Sequence, residues 1–136
     1  MIFKKEEQTD SKFQVKICAL LIHAAKIDEN YTEKEEEIIK QSLVELGIEK
    51  VNIHKIIEEA KKTEENSNQI LDFTKEVKKL SQSDKIKIIE SLWSIIYSNK
   101  EADIYENNLM RRLAGLLYID NRTMGDIKEK IAKNSK

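Results

Sequence analysis

The stretch Leu21-Ile22-His23-Ala24-Ala25-Lys26-Ile27-Asp28, followed by Glu29-Asn30-Tyr31-Thr32-Glu33-Lys34-Glu35, holds the reading of this chain. It is the end of an apolar helix, a short polar loop and a helix start. Phe13, Ile17, Leu20, Leu21, Ala24 and Ile27 recur at three- and four-residue steps, the spacing that puts side chains on one helical face. Cys18, Ile22 and Ala25 extend the apolar surface beyond that stripe, which predicts a central rather than a peripheral helix. Thr32 with Glu35 has the form of a capping box, in which the hydroxyl and the carboxylate each satisfy a backbone N–H of the first turn.

The same pattern returns 71 residues later. Leu92-Trp93-Ser94-Ile95-Ile96-Tyr97-Ser98-Asn99 aligns with Leu21 to Asp28, Asp103 with Thr32, and Glu106 with Glu35. The correspondence continues through Ile38 with Leu109, Leu46 with Leu117, and Ile48 with Ile119. Two similar helix-loop-helix units packed on each other are the expected result.

Between and after these units the helical spacing continues. Amphipathic helices are predicted at Thr32 to Leu46, Asn52 to about Thr63, Asn68 to Leu80, Asp103 to Tyr118 and about Thr123 to Lys133. A second strongly apolar helix holds Ile86, Ile88, Ile89, Leu92, Trp93, Ile95 and Ile96. The fold class is all-α, about seven helices, with no alternating stretch long enough for a strand. Three glycines and no proline in 136 residues agree, because sheets and long loops draw on both for their turns. This length suits one domain, with about the first ten residues read as a flexible tail.

Composition narrows the function classes. Basic and acidic residues number 24 and 25 and are interspersed, so there is no positive stripe of the kind that displaces counterions from nucleic-acid phosphates. One cysteine forms no internal disulfide, which suits a reducing cytoplasm. Val15 to Ala25 is too short for a membrane span and Lys16 interrupts it. A cytoplasmic location without membrane insertion is expected.

The two loops and their flanks resemble the signature of the TerB-like family, over residues 13–133. That family is typically helical and built from two repeats, each an alanine-rich helix, a loop of the form Asp-Gly-x-apolar-polar-x-x-Glu, and a second helix. Asp28 to Glu35 is the first loop here. Asn99 to Glu106, followed by Leu109-Met110-Arg111-Arg112-Leu113-Ala114, is the second. The family's glycine is replaced by Glu29 and Lys100, and its second aspartate by Asn99. Relatives of this kind occur in tellurite-resistance operons and at the head of DjlA-type co-chaperones. The resemblance implies a stress-response setting and no defined chemistry.

The candidate sites follow. Asp28, Asn30 and Glu35, with Glu101 and Glu106 beside Asn99 in the second repeat, offer oxygen ligands for a divalent cation. The plainer reading is a tethered loop and a helix cap. The spacing is not that of an EF-hand, since Glu33 and Ile39 stand where its glycine and its last glutamate would be. His23 and Cys18 are five apart and poorly aligned on one helix, so a core histidine and a structural thiol are expected. His54 and Glu58 read as a surface pair. Two histidines and one cysteine are too few for a dedicated zinc site. Trp93, Tyr97 and Tyr105 are read either as core and rim of the contact between repeats or as the lining of a partner groove. No phosphate-binding glycine loop, nucleophile elbow or zinc-protease motif occurs. The expectation is a non-enzymatic interaction or scaffold module with an unidentified protein partner and no cofactor, the alternative being a divalent-cation binder.

Overall fold

A computed structural model describes residues 7–27, 32–66, 70–98 and 104–134, with side chains from Phe13 onward and without that of Leu71. Seven helices are present among them: α1 Glu7–Ala25, α2 Glu33–Glu45, α3 Lys50–Glu65, α4 Leu71–Val77, α5 Gln82–Tyr97, α6 Ile104–Leu116 and α7 Asn121–Asn134. No strand occurs among the described residues.

Local chemistry sets the helix ends. The hydroxyl of Thr32 accepts from the Glu35 N–H at 3.1 Å, and the Glu35 carboxylate accepts from the Thr32 N–H at 2.8 Å. The expected capping box is therefore complete. Ser81 caps α5 by accepting from the Asp84 N–H at 3.2 Å. Asp120 caps α7 by accepting from the Thr123 N–H at 2.7 Å, a bond that holds its carboxyl below the usual range.

The two apolar helices are central. Ile17, Leu20 and Leu21 of α1 and Ile88, Ile89, Leu92, Ile95 and Ile96 of α5 are fully buried. Each such side chain contributes about 1.5–3 kcal/mol through the hydrophobic effect. In the first half α3 packs along α1, and in the second α7 packs along α5. The repeat therefore covers three helices in each half. Lys50 pairs with Asn121, Ile53 with Met124, and Ile56 with Ile127, all 71 residues apart. The halves meet where α5 touches α1 and α2, while α4 covers another face of α1 with Ile70, Phe73 and Val77.

α2 and α6 end in the same way. Ile48 N–H bonds to Leu43 O at 3.0 Å and Gly47 N–H to Val44 O at 3.0 Å; Ile119 N–H bonds to Ala114 O at 2.9 Å and Tyr118 N–H to Gly115 O at 3.4 Å. These paired bonds need a left-handed residue just past the helix, and Gly47 (φ 102°) and Tyr118 (φ 59°) supply it. At Tyr118 the strain of a side chain in that region is offset by the ammonium groups of Lys78 and Lys85, 5.6 and 5.7 Å from its ring centroid. Gly47 has no such help available to a replacement. Gly47→Ala is expected to lower stability by about 1 kcal/mol, read as a lower urea midpoint at unchanged slope.

Candidate functional site

The oxygen-bearing side chains singled out in the two loops fall into two groups. Asp28, Asn30, Asn99 and Glu101 lie outside the described residues. Glu35 and Glu106, at matching positions in the two repeats, are buried, with 1% and 4% exposure. One oxygen of Glu35 accepts both the N–H and the hydroxyl of Thr32, so the cap employs it. Among the described residues no group of three or more His, Cys, Asp and Glu side chains is placed to hold a metal ion.

The histidines and the cysteine have structural surroundings. His23 Nδ1 lies 3.2 Å from Glu64 Oε2, and Lys26 Nζ donates to the other oxygen at 2.6 Å. This pair of contacts ties the end of α1 to the end of α3. His54 is exposed on α3, and Glu58 faces Lys61 at 3.5 Å. Cys18 is buried; burial pushes its thiol up to about 12, Glu36 adding to the rise and Lys61 opposing it. A thiol held neutral and enclosed is a poor nucleophile. In the native protein at pH 8, Cys18 is expected to resist an aromatic disulfide reagent and to react stoichiometrically once the chain is unfolded in denaturant. Rapid native labelling would contradict that placement.

The aromatic residues are divided between core and surface. Trp93 is 2% exposed, and its indole N–H points to Met124 Sδ at 3.4 Å. Half-buried Tyr97 stacks beside it at 5.9 Å between centroids. Tyr105 and its neighbour Ile104, on the first turn of α6, are 70% and 68% exposed.

Between α6 and α7 the surface is concave. The groove, of about 710 Å³, is lined by residues that include Trp93, Ile104, Met110, Arg111, Met124 and Lys128. Lys128 crosses it, with its ammonium 5.4 Å from the Trp93 ring centroid and 2.9 Å from the Asn107 side-chain oxygen. The first repeat has a counterpart of about 510 Å³ between α2 and α3, lined by Glu37, Lys40, Val44, Lys50, Ile53 and His54 among others. Glu37, Lys40, Lys50, Ile53 and His54 lie 71 residues before Asn108, Arg111, Asn121, Met124 and Gly125, all of which line the second groove. The grooves are thus one feature of the repeat, wider where Gly125 stands in place of His54.

Sequence reasoning offered a partner groove lined by Trp93, Tyr97 and Tyr105 as one alternative; of these three, Trp93 lines the α6–α7 groove, and the counterpart in the first repeat was not anticipated. The available signal was Gly125 in the middle of an otherwise regular amphipathic helix. A Cβ added there would meet nothing within 4 Å, yet a glycine inside a helix costs about 0.5–1 kcal/mol relative to alanine.

An all-helical bundle of two three-helix repeats, whose second helices end in the same left-handed turn, with a groove on each half, defines the class of this protein. The family model described as tellurite resistance protein TerB matches residues 14–129, and the chain belongs to that family. No curated protein and no solved structure matches it.

Proposed function

We propose that this TerB domain is a non-enzymatic interaction module of a tellurite- or stress-response assembly, acting in the cytoplasm through the α6–α7 face. The observation that carries the reading is Ile104, 68% exposed in the lining of a groove that also holds Trp93, Met110 and Met124, with Tyr105, 70% exposed, next to it in the sequence. Adjacent exposed apolar groups beside a concavity are what a protein partner covers. No helix among the described residues is long and apolar enough to cross a membrane.

The test is the size of the species that holds the chain in its source cells. The tagged protein should elute in an assembly well above the 15.9 kDa of the free chain. Ile104→Asp combined with Tyr105→Ser should release it as a monomer without lowering its melting point, since both side chains are largely in solvent. Elution of the unsubstituted chain as a monomer, with and without tellurite stress, would sink the proposal.

A divalent cation at the repeat loops is the second reading, favoured by the burial of Glu35 and Glu106 at equivalent positions. A bound ion at about 100 times its dissociation constant adds about 2.7 kcal/mol. Melts in EDTA against millimolar Ca²⁺, Mg²⁺, Mn²⁺ and Zn²⁺ should then differ by several degrees, and the difference should vanish in Asp28→Ala and Glu106→Gln. Identical melts would remove this reading.

A further inference from the structure

We infer that the α6–α7 groove is the seat of a short, acidic, amphipathic helix contributed by a partner protein. The inference rests on the interaction-module reading and names the chemistry of the partner.

Three features of the groove converge on that occupant. The first is length. Its lining runs from Ile104 to Arg111 on α6 and from Asn121 to Lys128 on α7, about 10 Å along each helix at 1.5 Å per residue. That is the span of two helical turns, which present apolar anchors at i, i+3 or i+4, and i+7 to such a groove. The floor suits those anchors: Trp93, Met110 and Met124 are buried side chains whose surfaces line the groove, and methionine adapts its shape to varied apolar guests.

The second is charge. Arg111 and Lys128 line the groove, and no acidic residue is among its described lining. The equivalent groove of the first repeat carries Glu37 where the second has Asn108. The charged side chains that line the second groove are therefore of a single sign, and they favour carboxylates on the guest.

The third is the glycine. Gly125 lines the groove in the position of His54, and no atom of the described residues lies within 4 Å of where its Cβ would be. A helix-interior glycine weakens its helix, and such a residue is the usual device where another backbone must come close. The space above Gly125 lets a guest helix lie nearer α7 than the His54 side chain permits in the first repeat.

The experiment uses the full chain and two synthetic 16-residue helical peptides. Both have the same leucine spacing; one carries Glu at its remaining charged positions and the other Lys. Trp93, the one tryptophan of the chain, reports binding by fluorescence, and amide chemical shifts locate it. The Glu peptide is expected to bind at least tenfold tighter than the Lys peptide and to shift Asn107, Arg111, Asn121 and Lys128. Arg111→Glu with Lys128→Glu should invert the preference. Gly125→Leu should abolish binding while the melting point holds, so a folding defect is not mistaken for loss of the site. Equal binding of the two peptides, preference for the Lys peptide, shifts confined to another face, or no binding of either at about millimolar concentration would each overturn the inference. A chain that still elutes in a large assembly when the peptides fail keeps the module reading and loses only this partner class. A chain that is monomeric in cells loses both.

Discussion

Replacing Trp93 with alanine should cost about 3–5 kcal/mol of folding stability. The side chain is 2% exposed and joins α5 to α7, with its N–H on Met124 and its ring under the Lys128 ammonium. Truncation removes the largest side chain of the second repeat and opens a cavity that helices on both sides cannot close without moving. A domain of this kind has about 5–15 kcal/mol in total, so the loss is a substantial fraction of it. Urea denaturation followed by helical circular dichroism gives the value, because the variant has no tryptophan fluorescence. Trp93→Phe should recover most of the difference. If Trp93 contributed only a surface for partners, alanine would leave the urea midpoint where it was.

Lys85→Met is the second large effect, about 1.5–3 kcal/mol. Lys85 is buried in α5 and donates to the Leu117 carbonyl at 2.9 Å, just past the end of α6. Carbonyls at a helix C-terminus carry partial negative charge and lack intrahelical donors, so a cation there acts both as hydrogen-bond donor and as counter-charge. Methionine preserves most of the apolar stem but leaves the carbonyl without its charged donor. Faster amide exchange at the end of α6 should accompany the loss, while α1 and α3 keep their protection. A change below about 0.5 kcal/mol would mean that water replaces the ammonium without penalty, contrary to the burial of the site.

These effects lie on contacts that sequence reading anticipates only in part. α2 was legible to within a residue, because Thr32 and Glu35 mark its start by local chemistry and its apolar spacing runs to Leu46. The central place of α1 and α5 was legible from apolar residues that extend beyond a single stripe on each helix. α4 was expected from Asn68 to Leu80 and spans Leu71–Val77. A short helix that depends on burying Phe73 and Val77 against α1 is limited by that contact rather than by its own pattern. The repeat was legible in its first two helices. Its third was less visible because Ile53 is matched by Met124 in burial but not in residue type, which leaves Ile56 with Ile127 as the one identical buried pair of the two. The groove was least legible of all. It exists where α6 and α7 pack only sparsely against each other, and no residue encodes a separation between helices directly. Of the residues expected to form a cation site, Glu35 and Glu106 are described and buried, while Asp28, Asn30 and Glu101 lie outside the described residues.

Cross-linking at the α6–α7 face shows whether a partner sits there. A photoreactive phenylalanine analogue would replace Tyr105 in the source cells and, in a parallel strain, Tyr118, an equally exposed tyrosine at the other end of α6. Irradiation should give one discrete heavier adduct from position 105 and none of comparable yield from position 118. The adduct should disappear when Gly125→Leu fills the groove. No adduct at 105, or the same products from both positions, would contradict the assignment of this face as the site where the module meets its partner.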